Sequence, residues 1–284
     1  MTWLMRAPLR RGYKTLIVDV NSKGVCVITL NRPKKKNAFN VAMYEELGEA
    51  LEKASSSNEI KVAVVTGAGD FYSSGNDLSN FSQLMHPLTM AAQSRLLLRD
   101  FVNHFLTLRK PLICAVNGPA IGIAVTALGL ADYVIASKTA TFKTPFAELA
   151  QSPEGCSSFT FPRLMGEEAA NNILWRGATL TANQACQANL VHEVVEDTSR
   201  LLPRALEYAE SLASLPPNDP KLVKNVTKMG VEQLQKVNEE ECAVLEKKWI
   251  SKECFEALSS YLSSRKMHTA AFVLRYYSIY RSIN

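Results

Sequence analysis

The sequence lacks the short motifs by which several enzyme classes are recognised. Neither G-x-x-x-x-G-K-S/T nor G-x-G-x-x-G occurs, so nucleotide hydrolysis and dinucleotide redox chemistry have no support. The serine nucleophile motif G-x-S-x-G is absent too. The four histidines are far apart and show no H-E-x-x-H spacing, and we therefore expect no metal site.

Long apolar segments and paired cysteines are also missing. The longest apolar candidate, residues 119–131, is shorter than the roughly 20 residues that cross a bilayer, so we expect no membrane span. None of the six cysteines has C-x-x-C spacing, and most lie in apolar segments, which predicts reduced core thiols in an intracellular compartment. The net charge of +5 is scattered, so we expect no nucleic-acid partner.

Strand, loop and helix patterns alternate along the first half of the chain. Residues 15–20 and 25–30 are β-branched segments separated by N-S-K-G, which predicts a hairpin. Further strands are expected at 62–66, 112–116 and 133–136, with amphipathic helices at 41–54 and 89–108. This alternation predicts an α/β fold with a largely parallel sheet.

The second half has a different pattern. From residue 159 onwards we expect almost only helices, including one at 221–229 and a long one from 231 to about 264. The clearest linker is L-P-P-N-D-P at 215–220. We therefore divide the chain into a basic arm or transit-like segment at 1–12, a core at 13–214 and a helical region at 215–284.

Two loops share one design, in which small residues and glycine follow a strand and precede a helix. They are F-Y-S-S-G-N-D-L at 71–78 and N-G-P-A-I-G at 117–122, and the second leads into a helix expected at 121–130. Backbone N–H groups from two such loops can converge on one oxygen and form an oxyanion hole. The alternative is tight packing of a helix rich in small residues.

The segment 144–158, T-P-F-A-E-L-A-Q-S-P-E-G-C-S-S, places Glu148 and Glu154 in an otherwise uncharged stretch. Pro153 and Gly155 predict that Glu154 lies on a turn or at a helix start. Either glutamate is a candidate general base. The alternatives are an acidic first-turn residue for Glu154 and a salt bridge to a neighbouring Lys or Arg for Glu148.

Together with N-R-P-K-K-K-N-A at 31–38, these loops resemble the crotonase (enoyl-CoA hydratase/isomerase) family over residues 13–265. The segment 144–158 and the following F-P-R-L-M-G are most similar to peroxisomal-type Δ3,Δ2-enoyl-CoA isomerases. The resemblance implies a crotonase-like spiral of ββα units with a helical C-terminal trimerisation region. It also implies an acyl-CoA thioester as substrate, no separate cofactor, and a homotrimer or dimer of trimers.

The resemblance also implies roles for individual residues. Glu154 corresponds to the catalytic base, and the backbone N–H groups of Asn76 and Ile123 correspond to the oxyanion hole. The implied substrate and CoA contacts are Lys36, Asn37, Ala38, Ser74, Gly75, Asp77, Leu78, Gly122 and Phe146. Thr126 and Phe146 occupy the positions of the two glutamates that hydratases use, and neither side chain transfers protons at neutral pH, so hydration is not expected.

Supporting roles are expected for several further residues. Asp77 and Asn117 are expected to hold the two glycine loops. Phe81, Leu84, Phe101 and Phe105 either line an acyl tunnel or belong to the core.

The resemblance predicts an isomerase that moves the double bond of a 3-enoyl-CoA to the 2-trans position in β-oxidation of unsaturated fatty acids. The alternative is a catalytically silent acyl-CoA-binding or scaffold domain of the chromodomain Y-like type. Dienoyl-CoA isomerisation would require a further acidic residue that is not at the expected positions. The basic N-terminus favours the mitochondrial matrix and the subgroup favours peroxisomes, although the C-terminus lacks S-K-L.

Overall fold

The computed structural model describes residues 12–77, 79–80, 86–216 and 230–264. Predictions for Leu78, Phe81, Leu84, the helix at 221–229 and the C-terminal segment 270–284 lie outside this part of the chain, as does most of the N-terminal arm.

The described strands and helices alternate through most of the chain. In chain order they are β1 (Leu16–Val20), β2 (Val25–Leu30), α1 (Val41–Ser56), β3 (Val62–Gly67), α2 (Pro87–Thr107), β4 (Leu112–Val116), β5 (Ala120–Ile121), α3 (Ile123–Thr126), β6 (Tyr133–Ser137), β7 (Thr141–Lys143), α4 (Ser157–Met165), α5 (Glu167–Leu174), β8 (Thr179–Thr181), α6 (Ala182–Gln187), β9 (Glu193–Val195), α7 (Leu201–Ala213), α8 (Val231–Trp249) and α9 (Lys252–Ser264).

The main sheet has six strands in the order β1-β2-β3-β4-β6-β9. β1 and β2 form an antiparallel hairpin in which Leu16 pairs with Leu30 and Val20 with Cys26. All other neighbouring strands of this sheet are parallel. The structure thus confirms the predicted hairpin and the largely parallel sheet.

Helices cover both faces of this sheet. Successive side chains of a strand point to opposite faces, and β3 shows the consequence. Ala63 and Val65 pack into the larger core on the side of α1 and α2. Val62 and Val64 pack against α7 through residues such as Ala205. Burial on both sides explains why these strands are nearly continuous apolar segments.

The helix starts near the site follow local sequence signals. The Asn40 side chain accepts a hydrogen bond from the Met43 N–H and caps α1. Pro87 is the first residue of α2, where its missing N–H costs no hydrogen bond. α3 is shorter than expected, because the helix becomes a 3₁₀ turn at Ala127–Leu130.

The described part of the second half is mostly helical, as expected, but it also contains two short strands that the sequence did not predict. β8 pairs with β7 in a second sheet of order β5-β7-β8, and β9 extends the main sheet beside β6. The long helix expected from 231 to 264 is two helices, since α8 ends at Trp249 and α9 starts at Lys252. Short strands of this kind depend on their distant partners rather than on local periodicity.

The two C-terminal helices pack onto the rest of the chain. The α2 side chain Arg95 pairs with Glu239 and Glu246 of α8, the latter at 2.7 Å. The buried Asn238 donates to the carbonyl of Arg99 at 2.9 Å. The helical region therefore helps to build the interior of this chain, and its role in trimerisation stays a prediction.

One buried amide holds together the loops that precede the site. Asn37 is fully buried, and its side-chain oxygen accepts from the Arg32 N–H at 2.9 Å. Its side-chain nitrogen donates to the carbonyls of Ala68 and Phe71 at 2.8 and 2.7 Å. Asn37 therefore ties the basic loop to the loop after β3.

We expect Asn37→Ala to destabilise the fold by about 3 kcal/mol, because three backbone groups each lose a hydrogen bond to a buried side chain. Urea unfolding measures this change. Asn171→Ala removes an exposed helical asparagine and serves as the matched control, for which we expect a change within about 0.5 kcal/mol. Equal stabilities of the two variants would contradict the role given to Asn37.

Candidate active site

The two glycine loops meet edge to edge. The Ser73 N–H donates to the carbonyl of Pro119 at 3.2 Å, and the Ile121 N–H donates to the carbonyl of Ser73 at 3.0 Å. Gly75 has φ of +78°, and a Cβ built on it would lie 2.6 Å from the carbonyl oxygen of Ile121. Only glycine permits this approach, because no real Cβ comes so close to another atom.

This junction leaves two backbone donors without an acceptor. The neighbouring N–H groups have acceptors. That of Gly75 donates to the Ser73 hydroxyl, that of Asp77 to the Phe39 carbonyl and that of Gly122 to the Lys143 carbonyl. Within the described residues, the N–H groups of Asn76 and Ile123 have no such partner. Both residues line one cavity of about 300 Å³.

We call this space the loop cavity and define it by its lining residues, which are Lys35, Ala38, Ser74, Gly75, Asn76, Asp77, Ser79, Ile121, Gly122, Ile123, Pro145, Phe146, Leu149, Gln151, Glu154, Leu258 and Tyr261. A second space of about 280 Å³, the helix cavity, is lined by Val41, Tyr44, Glu45, Asn76, Asn80, Met90, Gln93, Ser94, Leu97, Leu98, Gln151, Glu154 and Trp249. Asn76, Gln151 and Glu154 belong to both walls, so these residues stand where the two cavities meet.

The predicted loop anchors take the expected positions. The Asp77 carboxylate accepts from the Ser79 N–H at 3.0 Å and pairs with the Arg32 guanidinium at 2.8 Å. Burial pushes the pKa of Asp77 upward, but the Ser79 N–H and the Arg32 charge outweigh it, so the pKa falls below its usual value. The Asn117 side chain accepts from the Gly67 N–H and donates to the Gly69 carbonyl.

Glu154 lies on a strained turn before α4. Gly155 and Cys156, which follow it, both have left-handed backbones with φ of +67° and +61°. The buried Thr126 packs directly against this turn. A Cβ built on Gly155 would lie only 2.7 Å from the Thr126 hydroxyl, so the contact requires glycine. A Cβ built on Gly122 would lie 4.0 Å from Oε1 of Glu154. The carboxylate therefore lies beside the loop that presents the Ile123 N–H.

The environment of Glu154 favours its protonated form. The carboxylate has no hydrogen-bond or ion-pair partner in the described part of the chain, and it is only partly exposed. Burial, followed by the negative charge of Glu241, raises the pKa of Glu154 to about 8. A carboxyl group with a pKa near neutrality is suited to both accepting and returning a proton.

Glu148, the rival base, has a different environment. Its carboxylate pairs with the Lys143 ammonium at 2.6 Å, and 46% of its side chain is exposed. It lines neither cavity. The salt bridge considered from the sequence is thus the arrangement that Glu148 adopts.

Most of the implied contact residues line the loop cavity, but two do not. The Lys36 ammonium lies over the Phe71 ring at 4.8 Å, and its neighbour Lys35 reaches the cavity instead. Asn37 is buried, and its side chain forms the three hydrogen bonds to backbone groups described above. The Asn37 side chain therefore shapes the basic loop, and the substrate contacts implied for Lys36 and Asn37 stay predictions.

Phe101 and Phe105 belong to the core. Phe101 packs against Phe39, Tyr44 and Phe105 with ring centroids 5.0 to 5.6 Å apart, and neither ring lines a cavity. Of the two alternatives considered from the sequence, an acyl tunnel or the core, these two residues take the core position.

The C-terminal helices bring to the site several residues that no local sequence pattern predicts. Trp249 of α8 lines the helix cavity, and Leu258 and Tyr261 of α9 line the loop cavity. Glu241 of α8 contacts the turn that carries Glu154. A buried glutamate in a polar amphipathic helix gives no local signal, because only the packing of α8 against the core reveals its position.

Two kinds of feature are absent from the part of the chain that the structure describes. No group of three or more His, Cys, Asp or Glu side chains there is arranged to hold a metal ion. Among the helices of this part, none has both the length and the apolar content needed to cross a bilayer.

Comparison with known proteins places this arrangement in a family. The family model described as enoyl-CoA hydratase/isomerase matches residues 20–270. This chain belongs to the enoyl-CoA hydratase/isomerase family. A solved enoyl-CoA hydratase/isomerase from Pseudoalteromonas atlantica superposes with a TM-score of 0.81 at 32% identity, covering 88% of this chain and 98% of that one.

The curated relatives of this family member divide into two groups. Human enoyl-CoA delta isomerase 2 is 47% identical over 257 residues, which is 89% of this chain and 64% of the relative. Mouse enoyl-CoA delta isomerase 3, peroxisomal, is 41% identical over 87% of this chain and 78% of the relative. Human testis-specific chromodomain protein Y 1 is 32% identical over 89% of this chain and 47% of its own. The chain therefore spans about two thirds or less of the length of several curated relatives.

The raised pKa of Glu154 generates a prediction about stability. An unfolded glutamate ionises near its ordinary pKa of 4.5 and the folded one near 8, so the folded state binds more protons between these values. Stability is then lost as the pH rises through this window. We expect Glu154→Gln to raise the Tm more at pH 9 than at pH 5.

Thermal unfolding at the two pH values measures the difference. Glu148→Gln is the control, because that exposed carboxylate has an ion-pair partner and we expect no comparable gain at pH 9. An equal effect of Glu154→Gln at both pH values would contradict the unpartnered environment assigned to Glu154.

Proposed function

We propose that this chain is a Δ3,Δ2-enoyl-CoA isomerase, with Glu154 as its single proton-transferring group. The observation that carries the proposal is the position of the unpartnered Glu154 carboxylate at the cavity wall that also presents the free N–H groups of Asn76 and Ile123. The similarity to enoyl-CoA delta isomerases at 41 to 47% identity supports the same reaction.

The reaction requires one base and one site for a negative charge. Ionised Glu154 removes a proton from C2 of the 3-enoyl thioester, and the electron pair moves onto the thioester oxygen to form a dienolate. The N–H groups of Asn76 and Ile123 stabilise that oxygen by hydrogen bonds. Protonated Glu154 then returns the proton to C4, the double bond forms between C2 and C3, and the base is regenerated.

The surroundings of Glu154 favour isomerisation over hydration. Addition of water needs a second group that positions and activates the water. Thr126 and Phe146 occupy the corresponding positions, and both side chains are buried. One carboxylate that exchanges one proton with the substrate matches what this site offers.

The second candidate is an acyl-CoA-binding domain without catalysis. It has support from the chromodomain Y relatives, which are 31 to 33% identical to this chain. The isomerases are more similar, and a carboxyl group with a pKa of about 8 at the cavity wall has a use in proton transfer but none in binding alone.

We also infer the setting of the reaction. The substrate is an unsaturated fatty acyl-CoA of β-oxidation, and the name of the mouse relative supports a peroxisome over the mitochondrial matrix as its location. A homotrimer or dimer of trimers is the expected assembly, which sedimentation analysis of the purified chain would measure.

The isomerase proposal predicts that the purified chain converts a 3-enoyl-CoA to the conjugated 2-enoyl-CoA. We expect Glu154→Gln to lower kcat by about a hundred- to ten-thousandfold, because the amide cannot accept the C2 proton. The ultraviolet absorbance of the conjugated product measures the rate. Glu148→Gln is the control and should keep wild-type activity. An inactive wild type, or full activity of Glu154→Gln, would contradict the proposal.

A further inference from the structure

Glu241 is a buried carboxylate that the reaction described above does not use. It lies in the middle of α8, and 7% of the residue is exposed. A carboxylate in such a place is costly unless hydrogen bonds compensate its burial. Its hydrogen-bond partners belong to the turn that carries Glu154.

The carboxylate of Glu241 accepts two hydrogen bonds from this turn. One oxygen accepts from the Cys156 N–H at 2.7 Å, and the other accepts from the Ser158 N–H at 2.8 Å. The donors are 85 and 83 residues away in the chain. A distant helix thus supplies the acceptor that the start of α4 does not find locally, since the Cys156 side chain forms no cap there.

These two bonds act on a strained backbone. Cys156 has φ of +61°, a left-handed conformation that is sterically unfavourable for a residue with a Cβ. The preceding Gly155 is left-handed too, and together they set the direction in which Glu154 leaves the chain. Charge-assisted bonds to the Cys156 and Ser158 N–H groups favour this conformation over the relaxed alternatives.

The rest of α8 keeps Glu241 in place. Arg95 of α2 pairs with Glu239 and Glu246, which lie before and after Glu241 on the same helix. The Cys156 thiol also donates to the Leu234 carbonyl of α8 at 3.4 Å. Several hydrogen bonds therefore join the turn to α8, and those to Glu241 are the ones that involve a charged group.

The two carboxylates differ in their donors. Burial raises the pKa of both. Hydrogen bonds from the Ser158 side chain, the Ser158 N–H and the Cys156 N–H counteract this rise for Glu241, whereas no donor among the described residues does so for Glu154. The negative charge of Glu241 also opposes the ionisation of Glu154 and so adds to the rise in its pKa. The other titratable groups near Glu154 come from every element that borders it. They are Lys35 of the basic loop, Tyr44 and Glu45 of α1, Asp77 of the first glycine loop, Cys156 of the turn, Cys242 of α8 and Tyr261 of α9.

We propose that Glu241 is a positioning residue for the base: from α8 it holds the Glu154 turn by accepting the Cys156 and Ser158 N–H groups. This inference rests on the proposed role of Glu154. A purely structural cap predicts only lost stability when it is removed. A positioning residue predicts a lower kcat with little change in KM, together with a shifted pH profile.

Glu241→Gln tests the proposal in the full chain with a 3-enoyl-CoA substrate. We expect kcat to fall by about 10- to 100-fold, because the turn loses one acceptor and the base loses its fixed orientation. The limb on which kcat/KM rises with pH should move to lower pH, because the charge that opposes ionisation of Glu154 is gone. Wild-type kcat and an unmoved limb would overturn the proposal.

Two further variants separate charge from hydrogen bonding. Glu241→Asp keeps the charge but is too short to reach both N–H groups, so kcat should fall while the limb moves less than in Glu241→Gln. Glu240→Gln removes an exposed carboxylate from the neighbouring position of α8 and should leave kcat and the profile unchanged. A Glu240→Gln effect equal to that of Glu241→Gln would also overturn the proposal.

A measurement on the wild-type protein is independent of activity and of variant folding. The amides of Cys156 and Ser158 should be strongly protected from hydrogen exchange, since each donates to a buried carboxylate. Exchange of both at the rate of exposed loop amides would overturn the inference. An inactive wild type with both amides protected would instead contradict only the proposed function, so the two failures are distinguishable.

Discussion

The contact between the two glycine loops is the constraint on which the candidate site depends. Gly75 lies so close to the carbonyl of Ile121 that a single added carbon atom would stand 2.6 Å from it. This approach pairs the backbone around Ser73 with that around Ala120. It leaves the N–H groups of Asn76 and Ile123 facing one cavity with no acceptor in the described part of the chain. The anion site is thus a product of backbone geometry, and side chains such as Asp77 and Asn117 serve to hold it.

The base depends on a second set of contacts. Glu154 belongs to a left-handed turn that packs against Thr126 and donates hydrogen bonds to Glu241 of α8. Because no donor among the described residues reaches its carboxylate, burial, followed by the charge of Glu241, raises the pKa of Glu154 to about 8. The same absence of partners that makes Glu154 costly for stability makes it able to exchange a proton with a substrate near neutral pH. The property that suits Glu154 for proton transfer therefore also lowers the stability of the fold.

Local sequence patterns predict several parts of this molecule correctly. The hairpin, the buried parallel strands and the cap at Asn40 follow from β-branched segments, turn residues and side-chain spacing. The two glycine loops and the Pro153–Glu154–Gly155 turn were likewise visible as departures from regular structure. Glu148 and Glu154 were separable only in part, since the ion pair with Lys143 depends on the folded chain.

Local patterns could not predict the contacts between segments that are far apart in the sequence. The three-residue strands β8 and β9 exist because β7 and β6 offer them a partner. Asn37 looks like a polar loop residue that is free to touch a ligand, but it is fully buried and bonded to three backbone groups. Glu241 sits in a helix rich in charged residues, and only the packing of α8 distinguishes it from exposed neighbours such as Glu240.

The central claim is that Glu154 and the two free N–H groups act on one bound thioester. A crystal structure of the protein with a saturated acyl-CoA, which binds but has no double bond to move, tests it most directly. We expect the thioester oxygen to lie about 3 Å from the backbone nitrogens of Asn76 and Ile123, with the Glu154 carboxylate next to C2. A thioester bound with its oxygen away from both nitrogens, or with C2 out of reach of Glu154, would contradict the account.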